Sequence, residues 1–85
     1  MTDMFRDNAA AGRFELDVGG RQAFAIYRRQ GGSLVIDHVE AEPALRGTGA
    51  AGRLMEKVVD AAKAESLSIV PRCGYAASWL RRHGG

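Results

Sequence analysis

A single cysteine, Cys73, leaves no second thiol for an intrachain disulfide. The only histidines are His38 and His83, so no structural zinc site is expected. No apolar run approaches the roughly 18 residues that a spanning helix needs, and no membrane association is expected. The opening Met1-Thr2-Asp3-Met4-Phe5-Arg6-Asp7-Asn8 lacks the apolar stretch of a secretory leader, which sets a reducing cytoplasm as the expected location. Neither sign of charge dominates, with 12 basic residues against 10 acidic ones and a net charge of +2. That balance suits an anionic ligand, but it lacks the clustered basic stripe of a nucleic-acid binder, and no nucleic-acid partner is expected.

What is present is ordinary globular composition, 46% hydrophobic and 26% charged. Residues 1–85 make one small domain, which should bury only about 60% of its unfolded surface. Met1 to Gly12 mixes polar and small residues and reads as a flexible lead-in. Three strand-like runs follow. Arg13 to Val18 places Phe14, Leu16 and Val18 on one face, and Gly19-Gly20 reads as a hairpin turn. Gln22 to Arg28 opposes Phe24 and Ile26 to Ala23, Ala25 and Tyr27. After Gln30-Gly31-Gly32-Ser33, Leu34 to Glu40 places Leu34, Ile36, His38 and Glu40 on one face, with Val35, Asp37 and Val39 on the other. Pro43 ends this pattern. A short buried strand at Leu67–Val70, closed by Pro71, returns across a helix and is predicted to lie parallel to an earlier strand. Tyr75 to His83 closes the chain as a short helix, with Trp79 and Leu80 on its apolar side. The predicted class is α+β in the order βββαβα, an antiparallel three-strand meander followed by helix, strand and helix.

The chemistry centres on Arg46-Gly47-Thr48-Gly49-Ala50-Ala51-Gly52-Arg53. From Ala51 the chain becomes an amphipathic helix, with Ala51, Leu54, Met55, Val58 and Ala62 on one side. Glycines that open a helix leave several N–H groups without intrahelical acceptors at the positive end of the dipole, which is an anion site. The same glycines also suit a tight turn with no ligand. Two nucleotide motifs fit only in part. Gly47 to Gly52 matches GxGxxG, but Pro43 to Arg46 separates it from the strand, and no acidic residue follows Glu65. The P-loop needs Lys and Ser/Thr where Arg53-Leu54 stands.

A third pattern, R-x-x-G-x-A, is carried by Arg46, Gly49 and Ala51. It stands with His38 and Glu40 ahead of Pro43, with Pro71-Arg72-Cys73, and with Arg81-Arg82-His83 near the end. In that order, over roughly residues 13–83, the chain resembles the GNAT superfamily of N-acetyltransferases, closest to a short single-domain branch. Ser66 stands where that branch tends to carry glycine, and Ala51-Gly52 makes a softer helix start than usual.

The resemblance implies acetyl-CoA as cofactor, with its pyrophosphate held by Arg46, Gly47, Thr48, Gly49, Ala50, Ala51, Gly52 and Arg53. It implies transfer of the acetyl group to an amine, on a small molecule or a protein, by a monomer or weak homodimer. Acyl transfer needs a deprotonated amine, a polarised carbonyl and a proton for the leaving thiolate. Four side chains are the catalytic candidates. Cys73 is either a thiol that carries or adjoins the acetyl group or a small core residue. His38 and Glu40 are either the base or a half-exposed strand face, and Asp37 is expected to be solvated or paired. Tyr75 either protonates the thiolate or packs. Arg81, Arg82 and His83 either meet a cofactor phosphate or form a solvated helix end. A catalytically weak CoA-binding or protein-interaction module of the same fold is the alternative.

Overall fold

The alternating runs form a sheet with one strand more than their pattern predicts. The computed structural model describes residues 3–83. Their elements are β1 (Asp3–Asn8), β2 (Arg13–Val18), β3 (Arg21–Gln30), β4 (Ser33–Ala41), α1 (Ala50–Ala64), β5 (Ser68–Pro71) and α2 (Gly74–Arg82). The five strands lie in chain order, antiparallel from β1 to β4, and β5 runs parallel to β4 as expected for a return across α1. The class is mixed α+β.

The expectation of a flexible lead-in through Gly12 is corrected. Asp3–Asn8 is an edge strand, paired with β2 from Asp3 opposite Val18 to Asn8 opposite Arg13. Its inward positions, opposite Val18, Leu16 and Phe14, hold Asp3, Phe5 and Asp7. Only Phe5 is apolar; it stacks on Phe14 with ring centroids 5.6 Å apart. Asp3 meets Arg53, while Asp7 meets Arg29 and the Tyr27 hydroxyl. Two inward acids erase the apolar alternation by which a strand is read, and their partners lie far along the chain. Inward charge also blunts an edge against pairing with another chain.

The core lies on one face of the sheet. Phe14, Leu16, Ala23, Ala25, Tyr27, Leu34 and Ile36 pack against Leu54, Met55, Val58 and Ala62 of α1 and against Ala76, Trp79 and Leu80 of α2. Among the described residues no helix covers the other face, from which Phe24, Ile26, Val35 and Val70 project. Arg13 lies over the Phe24 ring at 4.6 Å. At its C-terminus α1 closes with Ser66 N–H donating to the Lys63 carbonyl and Leu67 N–H to the Ala62 carbonyl. Ser66 is the one non-glycine residue at positive φ (57°) among the described residues. Glycine would avoid a cost of about 1 kcal/mol there, which accounts for the glycine of the resembling branch.

Carboxylates on the uncovered face are paired within it. Glu15 is 1% exposed, yet its cover is thin, formed largely by the Arg13 and Arg6 guanidinium groups at 2.6 and 2.7 Å. Its hydrogen bond from Arg13 holds its carboxyl below the usual range. Gln22 and Arg6 do the same for Asp17, Arg28 for Asp37, Arg53 for Asp3 and Arg29 for Glu65. Each group binds its proton less tightly in the folded chain, so unfolding takes up protons as pH falls. The stabilisation is therefore complete above the ordinary values of 3.8 and 4.5 and is lost below them. The thermal midpoint should be flat from neutral pH to about pH 5 and then fall steeply. A midpoint at about pH 3 equal to that at neutrality would mean that these pairs contribute nothing.

Candidate functional site

The glycine turn is set by backbone geometry. Pro43–Leu45 forms a 3-10 turn that carries the chain off β4, with Leu45 buried as its anchor. Leu45 to Thr48 then closes a type II turn. Arg46 has φ −65° and ψ 135°, Gly47 has φ 79°, and Thr48 N–H donates to the Leu45 carbonyl at 3.1 Å. Gly49, at φ 83°, precedes the first residue of α1. Both glycines hold left-handed conformations that other residues adopt at a cost.

The N–H groups of this stretch divide into two sets. Arg46, Thr48 and Arg53 donate to backbone carbonyls, and Ala50 donates to the Thr48 hydroxyl. Those of Gly47, Gly49, Ala51 and Gly52 have no acceptor among the described residues. These four residues line one cleft of about 320 Å³, together with Ala41, Leu45, Arg46, Ala50 and Tyr75. Arg46 is exposed and forms no ion pair among the described residues. A larger cavity of about 610 Å³ lies behind the turn, bounded by Asp3, Arg21, Thr48 and Arg53 among others. The unpaired N–H groups belong to residues of the smaller cleft, which is therefore the candidate site despite its size.

Beside this cleft the sheet opens. His38 lies opposite Ile26 and Ile36 opposite Tyr27, leaving Asp37 without a partner as a β-bulge in β4. The bulge corrects the predicted strand face. Leu34 and Ile36 still face the core, but beyond Asp37 it is Val39 and Ala41 that do so, and His38 and Glu40 turn to the uncovered face. There they bond one another at 2.9 Å, each side chain 52% exposed. Asp37 is held by Arg28 through two bonds of 2.7 and 2.9 Å. Pairing of β4 with β5 covers only Ser33–Ile36, with Arg72 N–H bonded to the Ile36 carbonyl at 2.9 Å. From Asp37 to Ala41 the edge of β4 away from β3 has no strand beside it among the described residues, because β5 ends at Pro71.

Cys73 caps α2 just after β5, half-buried against the core. The Tyr75 hydroxyl reaches within 4.0 Å of where a Cβ on Gly52 would sit. Burial, above all, raises the Tyr75 pKa; Arg82 works against this and Cys73 adds to it, so the phenol keeps its proton at neutral pH. Trp79, read from helical spacing as core, is buried, and its indole nitrogen lies 3.4 Å from the same Gly52 position. That edge contact has no sequence signal, because it depends on how α2 crosses α1. The His83 ring stacks on Trp79 at 4.0 Å, and Arg82 bonds Ser78 within its own helix.

The structure thus brings Arg46, Gly47, Gly49, Ala50, Ala51, Gly52 and Tyr75 to one cleft and leaves His38, Glu40 and Cys73 off its walls. Thr48 and Arg53 face the cavity behind. A mixed sheet whose β4 outlasts β5 beside a turn of unpaired amides defines an α+β domain with a candidate anion site. The model of the GCN5-related N-acetyl-transferase family matches residues 13–84, and the chain belongs to that family. No curated protein matches the chain significantly. β1 precedes the matched stretch. Neither described helix is long and apolar enough to cross a membrane.

Proposed function

We propose that the protein is an acetyl-CoA-dependent N-acetyltransferase acting on an amine. The observation that carries this reading is the set of N–H groups at Gly47, Gly49, Ala51 and Gly52, unpaired in one cleft at the positive end of α1 with Arg46 at its rim. A pyrophosphate offers acceptors of the matching charge, and these residues would hold it.

Acetyl-CoA, when bound, supplies an activated thioester carbon. Transfer of that acetyl group to an amine would require a base for the proton the amine gives up and an acid for the thiolate released. Tyr75, neutral and on the cleft wall, gives the thiolate its proton in this reading. His38 and Glu40 serve an amine that arrives from the uncovered face of the sheet, accepting its proton directly or through water. Cys73, half-buried at the start of α2, either carries the acetyl group or flanks it.

One observation favours the weaker reading, a CoA-binding module with little catalysis: of the catalytic candidates, only Tyr75 lines the cleft. Thermal unfolding alone and with acetyl-CoA, CoA, NAD and ATP tests the binding. A ligand at about 100 times its dissociation constant stabilises by about 2.7 kcal/mol, and each kcal/mol moves the midpoint of so small a domain by roughly 4–8 °C. Acetyl-CoA and CoA should shift it and NAD should not; no shift with either CoA species removes both readings. Thiol release on adding amines then separates enzyme from module. Loss of an acetyl adduct in Cys73→Ala marks the covalent route, and undiminished transfer by that variant removes it.

A further inference from the structure

The ion pair behind the glycine turn gives the edge strand a part in the site. Arg53 lies one helical turn after Gly49, and its guanidinium projects away from the cleft. It donates to the Thr48 carbonyl at 3.1 Å and to the two Asp3 carboxylate oxygens at 2.6 and 3.4 Å. The same guanidinium comes within 3.6 Å of where a Cβ on Gly49 would sit, so it underlies the turn at its most permissive residue.

A trans peptide points its carbonyl and its N–H in opposite directions. Holding the Thr48 carbonyl behind the turn therefore aims the N–H of Gly49 forward, toward the cleft. Rotation of that one peptide plane would exchange the two, presenting an acceptor where a donor is needed. With glycine at 49 the rotation meets little steric resistance, so the amide's direction has to be imposed from outside the turn. The Arg53 guanidinium is the group in contact with the carbonyl, and Asp3 is the group that fixes the guanidinium.

We propose that Asp3 and Arg53 are positioning residues for the anion cradle. Strand β1 anchors the guanidinium, the guanidinium holds the Thr48 carbonyl, and the peptide plane turns the Gly49 donor toward the ligand. The effect on affinity rests on the reading that the cradle binds CoA. Asp3 lies outside the stretch matched to the family.

The test uses Asp3→Asn, Arg53→Lys and Arg53→Met in the full chain, with two readouts. The first needs no ligand: the chemical shift and hydrogen exchange of the Gly49 amide in ¹H–¹⁵N spectra. The second is calorimetric titration with CoA. The Gly49 amide should move in all three variants. Affinity should fall roughly two- to fivefold in Asp3→Asn, as for a partly exposed ion pair. It should fall about tenfold in Arg53→Met, with Arg53→Lys between them. Arg21→Met is the control, since Arg21 lines the same cavity and stands 3.8 Å from Glu42; it should leave both readouts at wild type. If Arg53→Met does not fold, Asp3→Asn decides. Unchanged affinity in the variants of a wild type that binds CoA overturns the proposal, whatever the amide does. A wild type that does not bind CoA removes the cofactor reading instead, and the amide alone then decides whether the strut orients the turn.

Discussion

Aspartate in place of Ala51 is expected to leave the protein as stable as before, or more so, and to abolish CoA binding. Ala51 is the second residue of α1, and the first turn of that helix carries no acidic residue and no side-chain cap. A carboxylate there meets unpaired N–H groups and the positive end of the dipole, a combination worth about 0.3–1 kcal/mol. The same carboxylate occupies the donors meant for the ligand and sets a negative charge against the pyrophosphate. Like charges brought together at a binding surface cost several kcal/mol, so the loss should exceed roughly a hundredfold. Unfolding and CoA titration of the one variant read both effects, which are expected to have opposite signs. Affinity within about threefold of wild type would remove the cleft as the phosphate site. Ala51→Asn supplies the neutral comparison.

A chain beginning at Ala9 is expected to be severely destabilised. It loses the Phe5 ring from its stack on Phe14, which is 1% exposed in the intact protein. It also loses one of the two guanidinium groups over Glu15 and the Asp7 partner of Arg29 and Tyr27. Uncovering an aromatic core position costs up to about 1.5–3 kcal/mol, or roughly 6–24 °C in a domain of this size. That is a large share of a net stability of about 5–15 kcal/mol. Circular dichroism during heating checks it. A midpoint within about 3 °C of the intact chain would show that β1 is dispensable.

Much of the fold was legible in the residues. Phe14, Leu16 and Val18 alternate along β2, and their face is the core face. Leu54, Met55, Val58 and Ala62 recur at helical spacing and are the buried stripe of α1. In both cases one periodic backbone repeats its geometry, so the spacing of apolar side chains reports directly which side is buried. The glycine turn was legible for a related reason. A run of small residues ahead of a helix permits the left-handed conformations of Gly47 and Gly49, and the unpaired first-turn amides follow from helix geometry.

The sequence by itself therefore determined the strands from Arg13 onward, the helix faces and the glycine turn, because each depends on neighbours within one turn or one pleat; the parallel return followed from the helix that separates the two strands. Tertiary structure alone decided the rest. The bulge at Asp37, which turns His38 and Glu40 to the uncovered face, is a matter of register against β3. One extra residue reverses every later side chain and leaves no trace in composition. Strand β1 was hidden because its inward Asp3 and Asp7 are satisfied by Arg53 and Arg29, partners 50 and 22 residues away. The direction of Arg53, away from the cleft it follows in sequence, has the same origin. An arginine can reach several places from one backbone position, and the folded chain puts a carboxylate at only some of them.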